Sequence, residues 1–179
     1  MQLENTRKAL EEFKKYVIKQ SRSNLTRTKK NASKELYNSI DGNIKVMKNS
    51  IYMDFVMEEY GLYQDKGVSG VKKKYDTPYK YTNKMPPPSK LDKWIIRRGL
   101  APRDLKGRFK KRSIDKVGFQ KSLAYLIARK IFFQGIKPSL FFTKPFEAGF
   151  KRLPDELIEK YGLDLEEFLA YTLKADRLK

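Results

Sequence analysis

The sequence predicts an α+β chain: mostly helical, with one antiparallel hairpin. Two patterns carry that expectation. Apolar residues alternate along Ile51, Met53, Phe55 and Met57 after a polar Lys48-Asn49-Ser50 break, which is strand periodicity around a turn. Phe119, Leu123, Leu126, Ile127 and Ile131 instead fall at helical spacing within a stretch from about residue 115 to 134.

The elements follow in order. Leu10, Phe13 and Val17 recur every third or fourth residue between Lys, Arg and Glu, which predicts an amphipathic helix over residues 5–19 that ends at Ser21 to Asn24. A second short helical piece ends in Leu36, Tyr37 and Ile40. Asp41-Gly42 is a turn signal leading into the hairpin around 43–57, where Tyr52 and Val56 blur the alternation and suggest partial cover on both faces. Residues 61–90 hold three glycines and four prolines and predict a long irregular loop, extended near Lys74 to Tyr81. Ser89 is placed to cap a short helix over Leu91 to Arg98 that Gly99 would end. The helix of residues 115–134 stops at Gly135 and reads as the central core helix. Leu140-Phe141-Phe142, with Phe132 and Phe133, reads as a packed aromatic cluster. Phe146 and Phe150 open a further helix, interrupted near Pro154. Asp164 with Glu167 has capping-box spacing and predicts the start of a last helix. A basic helical extension over residues 1–34 and a single domain over 35–179 are the expected organisation.

Charge narrows the function. Forty Lys and Arg face 21 Asp and Glu, a formal +19 in 179 residues. Such a chain calls for an anionic counterpart: nucleic acid, an anionic membrane or an acidic protein surface. Cysteine is absent, so disulfide and thiolate chemistry are excluded, and a reducing compartment fits. Histidine is absent too, which removes the commonest general base and zinc ligand. No apolar run nears the length of a membrane span, and the first residues lack the apolar stretch of a signal peptide; a non-membrane protein that is not secreted is expected.

Several motifs compete with plain structural readings. Residues 71–112 carry fifteen Lys or Arg against three acids, interleaved with Tyr75, Tyr79, Tyr81 and Trp94. Basic residues release counterions from phosphates and aromatics stack on bases, so direct nucleic-acid contact is one reading. A solvated loop meeting acidic neighbours is the other, and it weighs more because no nucleic-acid motif of defined spacing accompanies the charge. Gly61, Gly67 and Gly70 lack the Gly-Lys-Ser/Thr ending of a phosphate loop, and Gly67 reads as a positive-φ turn residue. The carboxylate pairs Glu58-Glu59, Asp155-Glu156 and Glu166-Glu167 are adjacent in sequence and do not converge on one point; the last two suit helix starts. A carboxylate nuclease would have to gather Asp54, Glu59 and Asp65 around a metal. The chain is therefore expected to be no enzyme and to need no cofactor.

Three stretches, in order, carry a resemblance: Tyr60-Gly-Leu-Tyr63 with Asp65-Lys66-Gly67; Lys84-Met-Pro-Pro-Pro-Ser-Lys-Leu-Asp-Lys-Trp94 through Gly99-Leu100; and Ser122 through Ile131, continuing into Gly135-Ile-Lys-Pro138-Ser-Leu-Phe-Phe142. Together they resemble the small phage neck proteins of the tail-completion, or head–tail joining, group over roughly residues 35–175. The resemblance implies a small antiparallel sheet packed on the long helix of residues 115–134, with N- and C-terminal helices and long basic loops. It implies a homo-oligomeric ring, six- or twelve-fold, between portal or adaptor and tail proteins, with a channel for DNA. It implies a place in the virion neck, and in host cytoplasm during assembly, with no catalytic residues to transfer.

On either reading, candidate subunit-interface or DNA-facing residues are Lys72, Lys73, Lys74, Tyr79, Met85, Pro86, Pro87, Trp94, Arg97, Arg98, Lys110, Lys111 and Arg112. The proline run forms a stiff arm suited to docking in a groove. The competing expectation is a basic DNA-binding protein acting in packaging or regulation.

Overall fold

The computed structural model describes residues 3–47, 50–100 and 116–176. In chain order the elements are α1 (Glu4–Arg27), α2 (Glu35–Ser39), β1 (Asp41–Val46), β2 (Ile51–Val56), α3 (Tyr60–Lys66), a 3-10 turn (Pro88–Leu91), α4 (Asp92–Arg97), α5 (Lys116–Gln134), α6 (Thr143–Phe150) and α7 (Leu153–Asp176). The class is α+β, as expected. The chain divides into two compact units. One combines residues 1–28, 37–58 and 141–179; the other combines 29–36 and 59–140.

In the first unit, α1 supplies the spine. Leu10, Phe13, Val17, Ser21 and Leu25 are buried at spacings of three and four, so one stripe faces inward along the helix. The expected break at Ser21–Asn24 does not occur, because the stripe runs through Ser21 to Leu25. Leu10, Phe13 and Val17 join Leu153 in the hydrophobic core, so this helix belongs to the body and is no extension. The hairpin pairs antiparallel from Asp41↔Val56 to Val46↔Ile51. Ile44, Ile51, Met53 and Phe55 pack against the core, while Tyr52 and Val56 are exposed. One face is thus covered and the other mostly open, with Asp54, between Tyr52 and Val56, half-buried.

The sheet packs on α1, whereas the long helix expected to carry it, α5, belongs to the other unit. Aromatic rings make the join. Phe13 meets Phe55 with centroids 6.1 Å apart and Phe146 at 5.8 Å, both edge-on, and Phe142 meets Phe55 at 5.3 Å. Each such pair adds about 1 kcal/mol beyond simple burial. Gly149 permits the approach of α6, since a Cβ there would lie 2.8 Å from Phe13 Cε2.

The expected capping box at Asp164 is not a helix start. α7 is continuous from Leu153, with Pro154 at its second position and Asp155 and Glu156 in its first turn. Glu166 and Glu167 therefore lie mid-helix. Asp164 is only 1% exposed and serves a different helix. It accepts hydrogen bonds from Asn5 N (2.9 Å), Thr6 N (3.0 Å) and Thr6 Oγ1 (2.6 Å). Leu3, at the head of α1, has no capping side chain of its own. A carboxylate from the other end of the sequence thus satisfies the orphan first-turn amides of α1 and its positive dipole end. Burial pushes the Asp164 carboxyl up, but these bonds outweigh it and hold the group below the usual carboxylate value.

In the second unit, α5 packs against α4 and the 3-10 turn. Its buried positions are Ala124 and Ala128, whereas Leu126, expected in the core, is 57% exposed. Small side chains let the helix lie close to its neighbours, which shifts the buried face away from Leu126. The loop expected over 61–90 opens with a helix, α3, and the stretch expected to be extended near Lys74 to Tyr81 contributes a single bridge, Ser69 with Lys80. Ser89 does not cap; the turn starts on Pro88, and α4 has no side-chain cap. Gly99 follows α4 at φ 61°, as expected of a helix-ending glycine. The expected aromatic cluster is two sets: Phe132 packs on Phe133 and near Tyr81, while Phe142 belongs with Phe13, Phe55 and Phe146.

Candidate interaction surface

Three glycines build the centre of the second unit. Gly67 ends α3 at φ 76°, Gly135 ends α5 at φ 72°, and Gly70 lies against Gly135. A Cβ at Gly135 would sit 2.1 Å from Val68 O, and one at Gly70 would sit 2.3 Å from Phe133 O. Val68 and Ile136 exchange backbone hydrogen bonds of 2.9 and 2.8 Å across this junction. Real side chains cannot fit at such distances, so glycine is a packing requirement here as well as a turn requirement.

The basic loop is anchored by its backbone. Val71 N and Lys72 N donate to Phe132 O and Phe133 O, each at 2.9 Å, and Lys73 N donates to Phe133 O at 3.2 Å. These carbonyls are the unsatisfied end of α5, and lysines beside them also meet the negative end of its dipole. Lys72 further places its ammonium 5.2 Å from the Phe133 ring. The side chains of Lys72, Lys73 and Lys74 are exposed. Ser69 Oγ then fastens the loop, donating to Tyr75 O and accepting from Tyr75 N. At the other edge, Lys30 donates to Lys137 O at 3.4 Å; burial and the nearby Lys137 ammonium pull its pKa below the usual lysine value, against the pull of Asp65.

Between α3 and this loop lies a groove of about 630 Å³ lined by Tyr60, Tyr63, Gln64, Val68, Pro78, Tyr79, Lys80, Tyr81 and Ile136. Tyr63 and Tyr79 stand edge to face at 4.6 Å. The Gln64 Nε2 is buried without a hydrogen-bond partner among the described residues. The groove thus offers an apolar floor and one ammonium.

Of the residues singled out from sequence, Tyr79 lines this groove. Met85 and Pro86 are half-buried; Pro87 is exposed and extended at φ −60°, ψ 123°. Trp94 is exposed, with the Arg98 guanidinium 5.7 Å from its ring. Arg98 donates to the Lys29 carbonyl. Arg97 pairs with Glu35 at 3.3 Å, an exposed contact worth under about 1 kcal/mol. Lys110, Lys111 and Arg112 lie outside the described residues.

Three features escaped the sequence reading. Tyr60, Tyr63, Gln64 and Tyr81 join Tyr79 only because the glycine junction folds the loop back. Second, α1 carries a basic groove of about 730 Å³ lined by Lys15, Ile18, Lys19, Arg22, Ser23, Thr26, Arg27 and Tyr37. Its helical spacing was readable. Arg22 there is partly structural, donating to Tyr37 O and Ile40 O, each at 3.0 Å, over the Tyr37 ring. Third, α7 exposes apolar residues that include Ile158, Tyr161 and Leu165.

No helix among the described residues is long and apolar enough to cross a membrane. No group of His, Cys, Asp or Glu that could hold a metal occurs among them either. Comparison with family models, curated proteins and solved structures found no match.

Proposed function

We propose that this chain is a structural subunit of a phage neck, a ring-forming piece that joins portal or adaptor to tail and leaves a channel for DNA. The observation that carries the reading is how the three stretches resembling the tail-completion group are used. Tyr60 to Gly67 forms α3 and its glycine stop. Lys84 to Leu100 forms the proline arm and α4. Ser122 to Phe142 forms most of α5 and the Gly135 junction, and ends on Phe141 and Phe142, which belong to the first unit. Up to Leu140 they share the second unit, whose exposed side chains include many lysines and tyrosines. A surface of that kind suits docking between subunits, where tyrosines give rigid contact area and lysines set register against acidic neighbours.

The test is quantitative mass spectrometry of purified particles. The chain is expected in a fixed multiple of six copies per virion. Its absence from virions would end the assignment.

A basic DNA-binding protein is the second reading, favoured by the α1 groove. Lys15, Lys19, Arg22 and Arg27 line it, and no carboxylate does. Duplex affinity that falls steeply between two salt concentrations in a gel-shift titration would support this reading. Weak binding already at moderate salt would remove it.

A further inference from the structure

The charge of this chain is divided very unevenly. Residues 59–140 carry 21 basic and six acidic side chains. α7 alone carries seven acidic and two basic ones, a third of all the acids in the sequence. The same helix carries an open apolar stripe: Ile158 is 73% exposed, Tyr161 50% and Leu165 41%. Their spacing of three and four puts them on one face. Asp155, Glu159 and Glu166, at matching helical spacing, run along one flank of that face. The apolar surface continues into a hollow of the first unit lined by Leu10, Ile51, Met53 and Leu157 beside Ile158 and Tyr161.

The tyrosine groove has the complementary character. Its wall is aromatic and aliphatic, its cation is Lys80, and no carboxylate lines it. We propose that the Ile158–Tyr161–Leu165 stripe of one copy seats in the tyrosine groove of a second copy, the acidic flank of α7 supplying an acceptor to Lys80. This deepens, and rests on, the reading of the chain as a ring subunit.

The charges choose this occupant over the alternatives. Pairing α7 with α7 would face acid to acid. The α1 groove has the right sign, but Ile18 is the single aliphatic side chain lining it, so the stripe would stay wet. An anionic membrane would repel the α7 flank. The pairing is also heterologous: each copy uses its helix on one neighbour and its groove on another, so contacts repeat and close when the rotation allows.

The test uses the full chain in sedimentation velocity. Wild type is expected to form concentration-dependent multiples that dissociate with added salt. A groove variant, Tyr63→Ala with Lys80→Glu, and a helix variant, Ile158→Asp with Glu166→Lys, are each expected to stay monomeric with an unchanged circular-dichroism spectrum. Mixed one to one, they should form a dimer that grows no further, because each retains one intact half. The chain lacks cysteine, so Pro78→Cys mixed with Glu166→Cys should cross-link to a dimer while neither does so alone. A groove variant that still self-associates, a mixture of folded variants that stays monomeric, or a wild type that never associates overturns the pairing. Particle mass spectrometry reads the neck assignment separately. Absence from virions with the mixed dimer intact loses that assignment alone, and presence without the dimer loses the pairing alone.

Discussion

Asp164 accepts a 2.6 Å hydrogen bond from the Thr6 hydroxyl and a 3.0 Å bond from the Thr6 amide. Through this pair, α7 performs the N-capping of α1, which the head of α1 leaves undone. Removing it with Asp164→Ala is expected to lower stability by about 2 kcal/mol, the scale of a lost cap that strands buried donors. Urea unfolding followed by circular dichroism measures it.

The same pair predicts an acid dependence. The Asp164 carboxyl is held below its ordinary value near 3.8 in the folded chain. Its contribution is therefore complete above that value and is lost as pH falls through the lower folded pKa. The stability gap between wild type and Asp164→Asn should be constant near neutrality and shrink in strong acid. A gap that instead narrows between pH 6 and 8, on the order of the usual histidine range, would contradict the assignment.

Two positive-φ glycines should respond differently to alanine. Gly135→Ala meets Val68 O and Gly70 N at impossible distances as well as a left-handed backbone, and should cost more than about 2 kcal/mol. Gly99→Ala has open space around it at φ 61° and should cost about 1 kcal/mol, the backbone strain alone. Thermal melts of the two variants give the comparison.

Ser21 is buried in the α1 stripe, and its hydroxyl finds no partner among the described residues. Ser21→Ala removes an unsatisfied group and adds a better helix former. It should raise stability by about 1 kcal/mol, read as a higher urea midpoint with an unchanged slope.

On α5 the sequence pattern and the packing disagree, so mutation can separate them. Leu126→Ser is expected to change stability by under about 0.5 kcal/mol apart from helix propensity, because the side chain is exposed. Ala128→Leu should cost about 1 to 3 kcal/mol by overfilling a fully buried position. Chemical denaturation of both variants would show which face is inside.

What was legible in the sequence was local. The hairpin, α5 with its Gly135 stop, and the stripe Leu10–Phe13–Val17 follow from periodicity and turn chemistry, which the neighbours of each residue dictate. The errors arose where distant residues decide. Asp164 looks like the start of a helix because capping boxes are recognised by spacing, yet its donors lie some 158 positions away. Ser21 looks like a break until Leu25 is seen to continue its stripe. Leu126 looks like core because apolar character was taken for burial, while alanines set the close approach. The candidate surface was legible only as charge and tyrosine content. Its shape depends on Gly67, Gly70 and Gly135 meeting, and no local pattern announces that.

The first unit is assembled from the beginning, middle and end of the polypeptide, whereas the second is nearly one continuous stretch. On a translating ribosome, residues 59–140 can collapse as they emerge. Helix α1 must wait, its leading amides unsatisfied, until α7 leaves the exit tunnel. Removing α7 would therefore leave the leading amides of α1 uncapped, 158 positions earlier in the sequence. The first unit is thus complete only once α7 has been made.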